Sequence, residues 1–102
     1  MNPIVVTIAH QHGKAEAMRR IKTAIQSALT RYEGKLKIAE EKWTEGHLDF
    51  RVAALGQPVT GKIDVGDDQV RAEVLLTWLM EHLTTPAEAL IKEEGERALG
   101  EP

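Results

Sequence analysis

Between residues 47 and 76 polar and apolar positions alternate with a period of two, and the rest of the chain has to pack around that stretch. Leu48, Phe50 and Val52 fall on one face, as do Val59, Gly61, Ile63 and Val65, and then Val70, Ala72, Val74 and Leu76. His47, Asp49, Arg51, Thr60, Lys62, Asp64, Arg71 and Glu73 fall on the other. Three consecutive strands with one dry face and one wet face predict a half-buried antiparallel sheet.

The wet-face charges select the register. Joining Val65 to Val70 across Gly66-Asp67-Asp68-Gln69 sets Lys62 against Glu73 and Asp64 against Arg71, two opposite-charge pairs worth roughly 0.2 to 1 kcal/mol each. Placing Val52 opposite Val59 sets Asp49 against Lys62 and Phe50 against Gly61, where the aromatic covers backbone that glycine leaves bare. A two-residue slip would bring Arg51 to Lys62 and Asp49 to Asp64, and like charges reject it.

Upstream, residues 4–9 are β-branched and read as a first strand. Over 14–32 the positions Met18, Ile21, Ile25, Leu29 and Tyr32 recur at three and four, with Ala17, Ala24 and Ala28 along one edge, which predicts an amphipathic helix closed by Gly34. Its stripe is expected to share one core with Phe50, Ile63 and Val74, so that an aspartate at Ile25 would bury an unpaired charge and unfold the domain. Residues 35–43 form a second strand with Leu36 and Ile38 inward, turning through Thr44-Glu45-Gly46. Pairing Trp43 with His47 puts Ile38 opposite Val52 and Glu40 opposite Phe50, so Glu40 points inward. That inward carboxylate has two readings: protection of an edge strand against aggregation, which is the more general need, or the lining of a pocket.

Residues 75–83 hold most of the remaining bulky apolar side chains, and Leu76, Leu79, Met80 and Leu83 have helical spacing. Thr85 as cap, Pro86 at the first helical position and Glu88 as the closing acid of a capping box then begin a last helix that runs to about residue 99. Leu90 and Ile91 can pack, Glu94 falls inside the apolar arc, and Gly95 costs about 1 kcal/mol relative to alanine. A disordered tail is expected from about residue 100. The element order β-α-β-β-β-β-α gives one α+β domain over 1–102, an antiparallel sheet of about five strands with helices packed on one face.

Composition changes this picture little. In 102 residues, 42% hydrophobic and 28% charged, there is room for a single core. There is no cysteine, so neither a disulfide framework nor a thiolate metal site is available. No secretory signal is visible and no apolar run approaches a membrane span, so a cytoplasmic location is expected. The net charge of −3 is unevenly spread: residues 1–37 hold seven Lys and Arg against two Glu, whereas residues 38–102 hold six against fourteen acids. The basic first segment is read as a solvated helix face rather than an anion-binding patch.

Catalytic chemistry is not legible. His10 and His12 would point to opposite sides of a strand, and His47 and His82 lack the cysteine or His-x-x-x-His spacing of a metal site, which needs three or four converging ligands. His10 reads as a turn or capping residue ahead of Gly13. The wet face is charge-balanced and carries no interleaved aromatics, Trp43 alone being placed there, so no nucleic-acid partner is expected. No metal or cofactor is expected either.

Ile8-Ala9-His10-Gln11-His12-Gly13-Lys14-Ala15-Glu16-Ala17, the amphipathic helix, the piece Val59-Thr60-Gly61-Lys62-Ile63 and the apolar run 75–83 before a helix together resemble the polyhydroxyalkanoic acid system protein family of the granule region, over nearly the whole chain. The resemblance implies a small bacterial protein linked to polyester storage granules, without established catalytic residues.

Two functions of different kind follow. A non-enzymatic accessory or binding protein would meet a hydrophobic granule surface or a partner protein, with Trp78, Leu79, Met80 and Leu83 as a patch that a homodimer could also cover; these residues otherwise simply seat the last helix. A small apolar-ligand carrier would instead hold its ligand between sheet and helices, with Glu40, Tyr32 or His10 as polar groups of the pocket. The second requires roughly 300 Å³ or more of enclosed space.

Overall fold

The computed structural model describes residues 3–77 and 82–100. The elements are β1 (Ile4–Ala9), α1 (Lys14–Arg31), β2 (Leu36–Thr44), β3 (His47–Ala54), β4 (Gln57–Val65), β5 (Gln69–Leu75) and α2 (Thr84–Gly100). The strands form one open antiparallel sheet in the order β1-β5-β4-β3-β2, and with the two helices this is an α+β fold.

Because β1 and β2 are the two edges, α1 has to carry the chain from one edge to the other. Its 18 residues span about 27 Å, against about 19 Å for four strand spacings, so one helix suffices for the crossing. It lies on the apolar face, where Ala17 is fully buried and Ile21 nearly so.

The register matches the charge pattern. Lys62 faces Glu73 and Asp64 faces Arg71; Asp49 faces Lys62, Val52 faces Val59 and Phe50 faces Gly61. The side chains settle differently from the backbone pairing. Arg71 bonds Glu73 on its own strand at 3.0 Å, and Asp64 takes His47 from β3 at 2.5 Å. Phe50 lies over Gly61 so closely that a methyl group there would overlap its ring.

The β2–β3 hairpin corrects the expected pairing. Thr44 pairs with His47 and Trp43 with Leu48, so the turn is Glu45-Gly46, with Gly46 at φ +69°. Ile38 nevertheless faces Val52, and an irregularity between Ile38 and Glu40 absorbs the extra residue. Beyond it every side chain swaps faces relative to the expectation. Glu40 turns to the wet face and bonds Arg51 at 3.3 Å, Glu41 takes the place opposite Phe50, and Trp43 points inward with Lys22 over its ring at 4.9 Å.

The expected single core is two buried clusters. Ile4, Val6, Val59, Val74 and Leu76 form one, with Phe50 packed against it; Ala17, Ile21, Val65, Val70 and Leu99 form the other, with Ile25 and Ile63. Ile8 touches both. The last helix starts at Thr84, which places Thr85 and Pro86 inside its first turn rather than at the cap and first position. Proline is tolerated there because first-turn amides have no intrahelical acceptor. Gly100, expected in a disordered tail, is the last residue of α2; residues 101 and 102 lie outside the described residues.

Candidate functional site

Between the two clusters the apolar face is not filled. A cleft of about 470 Å³ lies between the sheet and the helices. Ala24, Ile25, Ala28 and Leu29 wall it from α1, and Ala87, Leu90 and Ile91 from α2. Its floor comes from the inward positions of every strand, among them Ile38, Phe50, Val59 and Val74.

Two side-chain contacts join the helices beside the cleft. Arg20 of α1 reaches the Ala98 carbonyl at 3.4 Å, and Arg31 reaches Glu94 at 2.6 Å. From Arg20 to Arg31 the first helix advances about 16 Å while α2 retreats only about 6 Å from Ala98 to Glu94. The two helices are therefore tied at two points rather than packed along their lengths. The small side chains of Ala24 and Ala28 leave the remaining space open, where larger residues would have closed it.

Three polar side chains reach the lining: Tyr32, Glu41 and Glu94. Glu94 is held at the rim by Arg31 through one oxygen and by Arg97 through the other, at 2.6 and 2.8 Å. Arg97 also bonds Glu93 at 2.9 Å. The Arg31 guanidinium stands 6.0 Å from the centre of the Tyr32 ring. Hydrogen bonding to Glu94 pushes the Arg31 pKa upward, so its charge is permanent.

Of the polar groups expected in a pocket, only Tyr32 is there. Glu40 lies on the wet face, where the β2 irregularity puts it. His10 is buried, 6% exposed, in the loop between β1 and α1. The His12 backbone N–H donates to its Nδ1 at 3.1 Å, which leaves Nε2 to donate to the Gly66 carbonyl at 3.1 Å. His12 stacks on it, ring centres 5.7 Å apart, and donates from Nε2 to the Leu99 carbonyl at 2.5 Å. The pair ties the β1–α1 loop to the β4–β5 turn and to the end of α2.

Leu83 lines the cleft and packs on the first cluster. Trp78, Leu79 and Met80, the remainder of the proposed patch and the basis of the expected homodimer, lie outside the described residues. The sequence does not point to Glu41 as a lining residue or to Arg31 as the neighbour of Glu94 at the rim. For Glu94 the signal was present, since an acid inside the apolar arc of a helix has to meet either solvent or a cation.

His47 makes the other notable cluster, on the wet face. It bonds Asp64 at 2.5 Å and approaches Asp49 at 3.2 Å, and the two carboxylates raise its pKa, Asp64 foremost. Among the described residues no group of three or more His, Cys, Asp or Glu is placed to hold a metal ion. Among them, too, no helix is long and apolar enough to cross a membrane.

A family model described as Putative polyhydroxyalkanoic acid system protein matches residues 4–99. No curated protein matches the chain.

Proposed function

The chain belongs to the polyhydroxyalkanoic acid system protein family, and on that premise we propose that it is a non-catalytic binding protein that holds an apolar chain in the cleft between its sheet and its helices. The cleft carries this reading: about 470 Å³ with only three polar side chains in its lining. Ligand pockets occupy roughly 300 to 1,000 Å³ and are mostly apolar with a few placed polar groups. A protein that only adhered to a granule would need a continuous exposed patch. Among the described residues the large exposed apolar side chains are Val5 and Leu75 on the neighbouring strands β1 and β5, Leu55 at a hairpin tip and Leu90 on α2. The volume of the cleft supports the carrier. The family name makes the storage polyester, or the acyl chains from which it is built, the context in which an apolar cargo is expected, in the cytoplasm.

A neutral fluorescent alkyl probe, pyrene bearing an alkyl chain, tests this. Ala28→Trp puts an indole into the cleft from a lining position that belongs to neither buried cluster. Saturable binding by the native protein, lost in the filled variant while its thermal melt stays cooperative, is the expected result. Undiminished binding by Ala28→Trp would place the ligand elsewhere.

A further inference from the structure

The geometry points to a specific class of cargo: an amphipathic acid whose apolar chain lies in the cleft and whose carboxylate is received by Arg31 at the rim. This rests on the cleft being a binding site and adds the charge of the headgroup.

The rim chemistry favours an anion at one point. Arg31 bonds Glu94, a lining residue, through Nη1, and the guanidinium offers five donors in a planar fork suited to a carboxylate. It stands over Tyr32, a second lining residue, which places the guanidinium beside the apolar space. The pair is neither deeply buried nor free in solvent: the Arg31 side chain is 43% exposed and that of Glu94 21%.

Exchange of partners leaves no charge stranded. If Arg31 turns from Glu94 to the ligand, Glu94 keeps Arg97 through its other oxygen. Glu93 shares that arginine, so the acids on α2 retain a cation between them. Besides Glu94, which already holds Arg31, two features oppose an anion. Arg31 lies in the last turn of α1, where the helix dipole is negative; that effect is smaller than a charge-assisted hydrogen bond. Glu41 lies on the β2 side of the lining, and it repels a carboxylate there, steering the headgroup to the helix side.

Dodecanoate and dodecan-1-ol, below their aggregation limits, have equal chains and different heads. Displacement of the pyrene probe gives the affinity of each for the native protein, Arg31→Gln and Glu94→Gln. The acid is expected to bind about tenfold or more tighter than the alcohol, the size of one charge-assisted hydrogen bond. Arg31→Gln should abolish that preference, bringing the ratio of acid to alcohol affinity to about one, and Glu94→Gln, which frees Arg31, should raise that ratio. Equal affinities in the native protein, or a preference that survives Arg31→Gln, overturn the headgroup assignment and leave the apolar cleft standing. Binding of neither compound overturns both.

Discussion

Ile8 of β1 rests its Cδ1 on the bare backbone of Gly95 in α2, so close that a methyl group on Gly95 would overlap it. This contact explains a glycine that helix propensity alone counts as a defect, because it sets α2 directly on the edge strand.

The first prediction uses that contact. Gly95→Ala gains about 1 kcal/mol of helix propensity and forces Ile8 off its rotamer, at about 0.5 to 1.5 kcal/mol, so alone it should change stability little. In an Ile8→Val background, which removes Cδ1, the same change should stabilise by about 1 kcal/mol. Urea melts of the four proteins measure the coupling; strictly additive effects would show that α2 does not press on Ile8.

That contact was not legible in the sequence, whereas the strand register was. Lys62, Asp64, Arg71 and Glu73 alternate with apolar residues in both strands, and only one pairing satisfies face and charge together. Nothing comparable marks the irregularity in β2. Gly46 announces a turn but not whether two or three residues form it, so Glu40 and Glu41 could not be assigned to faces. The cleft was hidden for a different reason. Ile25 and Leu29 continue the apolar stripe of Ile21, and periodicity reads alike whether a stripe meets packed side chains or open space.

Leu55 occupies the left-handed region, φ +54°, next to Gly56 at +83°, and its side chain is 67% exposed. Two successive positive φ values make a type I′ hairpin turn, which favours asparagine at the first position. Leu55→Asn should therefore raise stability by about 1 kcal/mol, retaining the bond from its N–H to the Lys35 carbonyl. A lowered thermal midpoint would mean that the leucine side chain makes a stabilising contact.

His47 makes stability depend on pH in a defined direction. Its pKa is raised above 6.5 by Asp64 and Asp49, so the folded state binds the proton more tightly than the unfolded one. The contribution is fully present below the unfolded pKa and is lost as pH rises through the higher folded value. The advantage of the native protein over His47→Gln should therefore shrink on going from acidic to alkaline solution. An NMR titration of the imidazole that gave a pKa at or below 6.5 would contradict the double carboxylate contact.

Ile21 and Ile25, one helical turn apart, both line the cleft and share one cluster but differ in burial. Ile21 is 6% exposed within a buried cluster, and an aspartate there strands a charge with no partner, so Ile21→Asp should abolish folding. Ile25 is half-buried and lines the cleft. The carboxylate of Ile25→Asp can reach water through the opening, so this variant is expected to stay folded, where periodicity alone predicts unfolding. The loss should be about 1 to 2 kcal/mol of apolar burial, with a cooperative melt preserved. Alkyl-probe binding, in contrast, should fall by at least about tenfold, since a charge in an apolar pocket repels an apolar ligand without any compensating hydrogen bond. The two variants thus distinguish a cavity from a core. If Ile25→Asp unfolds as completely as Ile21→Asp, the space between helices and sheet is closed in solution, and the binding reading falls with it.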